Sequence, residues 1–553
     1  MASLRGLFSA VMLLVLPTSQ SMPQSQSKNA SEPSNVPTIQ VTSRLVFLDV
    51  TVLDNEGNPV VKGLSKDDFT ISENKKPQRI FSFEAPQVHS MGAAAEDDNP
   101  DGEAPVTIFV LDLLNSQFVD FAFIRYSVRK YLDAQPPQLS SPAEMMVIGN
   151  NSLEVVQGYT RSKEDLLFAL DHIPATLPYK MMNGAFLNSY FVLERFAQSI
   201  DALQQIALQS QGVPGRKNIL WVGQGGPNLP RLSLTRESVE RVRPYLHQTA
   251  NMLVDARISL FVLYPGKKVF GMGDPAAGAR SDELGGITSS QRYANLDFGN
   301  SDPFAGDVNF GVFVNETGGK LFFNNDVDAE IRRSQLLGSE YYTLTYQPHD
   351  GDADGKFRRV RVILRDRNLK VITKTGYFAP AKGAQVDPRH QMMVDLSHAA
   401  RSDVPFTALD VKIAAVVRHP DSRTAELTVV LNGRNLDWQA SVDGKSTAQL
   451  TLAAASLTEF KNILSSRVEN LTLSRPTEDR TPPGQQISRL TLTIPIPRKT
   501  RSIRVVVGTE KGGRIGGADL DRKAIDAAPE APTPNAQLLH RQQNETPSTP
   551  AKP

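Results

Sequence analysis

From Val41 onward apolar and polar positions alternate, with Leu45, Phe47, Val50 and Val52 leading into the turn Asp54-Asn-Glu-Gly-Asn-Pro59. A period of two bounded by turn residues predicts strand, turn, strand. Leu64, Phe69, Ile71, Ile80 and Phe83 carry the spacing on to about residue 85, enough for a small β module over 38–86. The period then changes. Val106-Thr-Ile-Phe-Val-Leu111 runs apolar, as a strand covered on both faces must, and Phe121, Ile124, Val128, Tyr131 and Leu132 then share one helical face. Residues 145–148, 218–222 and 258–263 repeat the strand pattern. Val192, Phe196, Ile200, Leu203 and Ala207, then Val239, Val242, Leu246 and Leu253, repeat the helical one. A helical piece at 311–316, a strand at 320–323 and a helix at 327–337 add another unit, and strands near 341–346, 357–364 and 371–375 close the region. Such alternation over 105–380 predicts an α/β domain: a doubly wound, mostly parallel sheet with helices on both faces.

Beyond a linker at 381–403, Val411, Ile413 and Ala415, then Leu427, Val429 and Leu431, then Leu450 and Leu452, and later 490–496 and 503–507 alternate between turns such as Asn432-Gly433. Evenly spaced short strands predict a C-terminal β-sandwich over 404–520. Gly512-Gly-Arg-Ile-Gly-Gly517 reads as a turn after its last strand, and the Pro- and Gln-rich tail 521–553 as disordered. Polar linkers are expected at 22–37 and 87–104. At the start, Arg5, an apolar run from Leu7 to Leu16 and small polar residues through Ser21 form the pattern of a secretory signal peptide over 1–21. That run is half the ~20 residues needed to span a bilayer, so no membrane span is expected after its removal.

Composition narrows the picture. The chain has 553 residues, several times the ~100–200 of one domain. Lys+Arg of 60 against Asp+Glu of 59 leaves a net charge of +1, no field to gather phosphates, so nucleic acid is not an expected partner. Cysteine is absent, which removes disulfides and thiolate chemistry. A secreted or periplasmic location follows as an expectation from the signal pattern.

Several segments together resemble a known family: Phe47-Leu-Asp-Val-Thr-Val52 with Gly63-Leu-Ser-Lys-Asp-Asp-Phe69, Leu111-Asp-Leu-Leu-Asn-Ser116, Gly215-Arg-Lys-Asn-Ile-Leu-Trp-Val222, and Tyr341-Tyr-Thr-Leu-Thr-Tyr-Gln-Pro348 followed by Asp354-Gly-Lys-Phe-Arg-Arg-Val360. They resemble the von Willebrand factor A-type domains, and more closely the acidobacterial VWFA-related group, over roughly residues 38–380. The resemblance implies a Rossmann-like fold and a metal ion-dependent adhesion site. In that site Asp-x-Ser-x-Ser after the first strand, a Thr from a second loop and an Asp from a third hold Mg²⁺, with one position open to a partner's carboxylate. Asp112 and Ser116 match, but Leu114 stands at the first Ser. Met181-Met-Asn-Gly184 supplies no Thr, and Gly223 or Gln224 stands at the Asp. The expected metal site is therefore degenerate, with Asp112, Ser116 and the Asn115 amide oxygen as its remaining ligands for Mg²⁺ or Ca²⁺. The leading expectation is no cofactor, with Asp112 capping the next helix or bonding loop amides.

Asp350-Gly-Asp-Ala-Asp-Gly355 satisfies the first half of a calcium loop, but Arg361 occupies the position of the bidentate Glu, so a polar hairpin turn is expected. The eight histidines form no His-Glu-x-x-His, and Gly-x-Ser-x-Gly is missing. The expectation is a non-enzymatic, exported protein–protein or surface-adhesion module that binds a protein or a surface polymer. Two alternatives stand beside it: an extracytoplasmic hydrolase using acidic loop residues such as Asp112 and Glu194, and a structural scaffold of the cell envelope. The oligomeric state stays open.

Overall fold

The apolar runs become the middle of one six-stranded sheet, in the order Lys320–Phe323, Ile258–Tyr264, Lys217–Val222, Val106–Asp112, Gln138–Ile148, Leu153–Ser162. All neighbours are parallel except the last pair. The computed structural model describes residues 45–89, 105–116, 118–150, 152–173, 189–227, 236–265, 302–305, 310–323, 326–348, 353–380, 388–440, 444–476, 481, 483–509 and 513–531. The expected leader 1–21, the linker 22–37 and most of 87–104 lie outside them, as does the tail after 531.

The reason for the runs is visible in their neighbours. Ile108, Val110, Ile219, Trp221, Leu260 and Val262 face one way, against the helices Ser189–Ser210, Arg236–Asp255 and Phe310–Glu316. Phe109, Leu111, Leu220, Val222, Phe261 and Leu263 face the other, against Phe118–Asp133, Lys163–His172 and Val327–Ser339. Each such side chain contributes ~1.5–3 kcal/mol on burial, so a polar residue on either face would be costly. The strand Leu153–Ser162 carries no clean period, because this edge strand is only half buried and interleaves Glu154, Gln157 and Arg161 with its apolar residues; the helix Lys163–His172 buries Leu166, Ala169 and Leu170 on one face. The helix starts where Ser162 accepts from the Asp165 amide at 3.1 Å.

Apart from one short hairpin, the strands within 38–86 do not close on one another. Val46–Leu53 lies between Tyr342–Tyr346 and Lys370–Ile372, and Tyr342–Tyr346 also pairs with Ile80–Glu84. Phe69–Glu73 pairs with Lys76–Gln78 and with Phe357–Leu364, which in turn pairs with Gly376–Phe378. Leu48, Val50, Ile71, Tyr342, Leu344 and Val360 share one core, and the hydroxyls of Tyr346 and Tyr377 both donate to Glu73 Oε2, at 2.7 and 2.9 Å. The parallel sheet is thus inserted between two halves of a β unit.

After it, Val411–His419, Thr424–Asn432 and Ile487–Pro495 form one antiparallel sheet. Gln439–Ala440, Lys445–Leu457, Ser502–Thr509 and Ile515–Asp521 form another, with Ile463–Pro476 along the second side of Lys445–Leu457. Leu427, Val429, Leu450, Ile494, Val505 and Val507 fill the core they share. Three expectations are corrected here. The linker 381–403 contains the helix Pro388–Arg401, since Met392, Leu396, Ala399 and Ala400 recur at helical spacing and bury against the central core. The start of the tail is ordered: Asp521 accepts from the Ala524 amide at 2.7 Å and caps Arg522–Ala527, whose Ile525 is buried. Gly516 and Gly517 lie in a strand rather than a turn, paired with Val507 and Val506, and a Cβ on Gly516 would fall 2.3 Å from the Leu409 carbonyl oxygen. Among the described residues no helix is long and apolar enough to cross a membrane.

Candidate functional site

Strand order reverses at Val106–Asp112, which has Gln138–Ile148 on one side and Lys217–Val222 on the other. In open α/β sheets the crevice outside the carboxyl ends at such a point is where ligands gather. Asp112 ends the central strand and the loop through Ser116 follows; the loop beginning at Gly223 comes from the neighbouring strand. Asp112, Asn115 and Ser116 are all buried there.

The Asp112 carboxylate is filled by N–H donors. Its Oδ1 accepts from the Asn115 amide at 2.8 Å, and its Oδ2 accepts from the Trp221 indole and from the Gly225 amide, both at 3.0 Å. The Asn115 side-chain Nδ2 donates to Oδ2 at 3.2 Å and also to Ser199 Oγ at 3.1 Å, which donates to the Arg195 carbonyl at 2.8 Å. One carboxylate therefore ties its own loop to the next one, and Asn115 ties both to the helix Ser189–Ser210. Burial pushes the Asp112 carboxyl above its ordinary value, against the pull of the Trp221, Asn115 and Gly225 donors.

Close packing of the two loops depends on Gly223. Its φ of +147° lies in the region that favours glycine. A Cβ there would fall 2.4 Å from Asp112 Cβ and 2.9 Å from Ser116 Oγ. The Gly223 backbone thus occupies the space beside both expected ligands.

These residues do not fit a divalent cation. A carboxylate has about four lone-pair sites, and those of Asp112 face N–H groups that a hard cation would have to displace. The buried oxygens left without a protein partner, Asn115 Oδ1 and Ser116 Oγ, are neutral and bring no charge to offset a divalent ion once the carboxylate is committed to N–H donors. The bonding of loop amides, expected as the alternative role of Asp112, is what the geometry displays. The second loop, 181–184, lies outside the described residues. Glu194 sits half-buried on the helix that carries Ser199. Asp112 has no uncommitted lone pair to act as a base.

No protein-family model and no curated protein matches this chain. Solved structures similar to it include proximal thread matrix protein 1 from the mussel byssus, at 11% identity and a TM-score of 0.23 over 44% of this chain and 47% of that one. Another is the SpRpn10 VWA domain, at 16% identity and a TM-score of 0.17 over 30% of this chain and 90% of that one. The chain thus spans about half the length of the mussel protein. Neither likeness carries weight for what it binds.

Trp221, Ser199 and Gly225 complete the site but were not singled out by the sequence, which marked Gly223 only as standing at the position of a missing Asp ligand. Trp221 lies inside an apolar strand; its indole N–H, which needs a partner when buried, is the one signal that could have marked it. The calcium-like segment is not the hairpin turn expected, since Tyr342–Tyr346 and Phe357–Leu364 pair in different sheets. At its described end Asp354 Oδ1 accepts from the Lys356 amide at 3.0 Å and from Arg358 at 2.8 Å, while 349–352 lie outside the described residues.

Proposed function

We propose that this chain is an exported, non-catalytic binding protein with a von Willebrand factor A-like domain, and that it takes a protein or surface-polymer ligand on the loop rim at the carboxyl ends of the parallel strands, without a metal ion. The observation that carries the reading is the bonding of Asp112 to Asn115, Trp221 and Gly225, which holds the rim loops in one arrangement before any ligand arrives. Preorganisation of this kind lowers the entropic cost of association. Export rests on the Arg5 and Leu7 to Leu16 pattern. The flanking antiparallel sheets serve as supports of the rim.

The test is cross-linking capture from cell-envelope and secreted fractions by the purified chain, by a Gln224→Arg rim variant and by each in EDTA. Gln224 is half-exposed beside the two glycines, so Gln224→Arg should reduce capture by about ten-fold while leaving the fold intact, and EDTA should change nothing. Capture abolished by EDTA would return the metal site; absence of any captured component would end the binding reading.

A further inference from the structure

The strand Ile463–Pro476, at 14 residues the longest among those described, lies at a sheet edge. It pairs along its length with Lys445–Leu457 and, among the described residues, with no strand on its outer side. Strands average about five to six residues, and edges are usually kept short or blunted by Pro, Lys or bulges. This one carries no Lys, its only Pro is the terminal Pro476, and its one register shift falls at the hairpin end, opposite Ser456 and Leu457.

We infer that this edge pairs antiparallel with the same edge of a second copy of the chain, centred on Val468. Charge at the strand centre is compatible with this register. A two-fold axis at Val468 sets Arg467 opposite Glu469 of the second copy and Glu469 opposite Arg467. Within one strand Arg467 Nε already donates to Glu469 Oε1 at 3.2 Å, so pairing joins two such pairs into a four-charge network on one face. Centring on Arg467 or on Glu469 would instead place like charges opposite each other, which is destabilising. Of the apolar positions in the strand, Ile463 meets Leu473 in the same register. A closed two-fold contact of one patch with itself leaves no outer edge for further growth at this strand.

Light scattering coupled to size exclusion, across a dilution series of the purified chain, should give twice the 60.6 kDa chain mass, falling to one chain on dilution. Arg467→Glu puts like charges opposite on both sides of the axis and should weaken self-association by about ten-fold. The exchange Arg467→Glu with Glu469→Arg should restore it. Arg467 is exposed and Glu469 half-buried, so the melting temperature of each variant is measured alongside to show that it is folded. A monomer at every concentration overturns the proposal, as does a dimer that Arg467→Glu leaves untouched. A double variant that stays dissociated overturns the register.

Discussion

The two ends of the parallel sheet each bury an aspartate, and they hold it in opposite ways. At the amino end, Arg216 and Arg257 lead into two adjacent strands and meet the strand Val46–Leu53. Arg257 grips Asp49 through two nitrogens, at 2.6 and 3.2 Å, and Thr343 donates to the same carboxylate at 3.1 Å. Arg216 donates to Thr51 at 3.0 Å and Ser259 at 2.9 Å while lying over the Tyr341 ring. Burial alone would raise the Asp49 carboxyl, but the guanidinium of Arg257 outweighs it and holds the group below its ordinary value. At the carboxyl end no cation among the described residues answers Asp112; indole and amide dipoles do, and burial wins. The difference teaches what each end is for. A full charge pair latches two sheets together, whereas a shell of neutral donors fixes the shape of loops.

The largest test of that contrast is Arg257→Met, which leaves Asp49 buried without its counter-charge and should cost about 3–5 kcal/mol in a denaturant titration. A loss below about 1 kcal/mol, the value of an exposed pair, would remove the latch from the argument. Next comes Asp112→Ala, which strands the Trp221 indole and the Gly225 and Asn115 amides and should cost about 2–4 kcal/mol. Its companion measurement is the melting temperature of the unaltered chain with Mg²⁺, Mn²⁺ or Ca²⁺. No shift is expected, and a rise that vanishes in Asp112→Ala would mean that a cation does displace those donors.

The smallest effect is one of sign, in acid. Asp49 has a lowered folded value, so its contribution is present above the ordinary 3.8 and is lost as pH falls through the folded value. Asp112 has a raised one, so its contribution is present below 3.8 and is lost as pH rises through the folded value. Acidification should therefore shrink the cost of Asp49→Asn and enlarge that of Asp112→Asn. Parallel slopes in the two series of unfolding curves would break the contrast.

The legibility of the two ends differed for a physical reason. Asp112, Asn115 and Ser116 fall within five consecutive residues, so a local pattern finds them, but Trp221 joins Asp112 across 109 residues and Ser199 joins Asn115 across 84. The parallel strands announced themselves because burial on both faces forces apolar runs. The edge strands Leu153–Ser162 and Ile463–Pro476 did not, since half-exposed backbone tolerates any mixture of side chains. The sharing of β partners between 46–84 and 342–378 was equally hidden, because alternation marks a strand without naming its partner.

That sharing sets a timetable for the newly made chain. Thr343 reaches Asp49 across 294 residues, an interval that at about 5–20 residues per second lasts about 15–60 s of synthesis. Throughout it the buried side of the first strand, Val46, Leu48, Val50 and Val52, is without the partners that will cover it. A holdase that keeps the chain extended would therefore matter most for this first strand, and a product stopped anywhere before residue 342 would keep its sticky face for good.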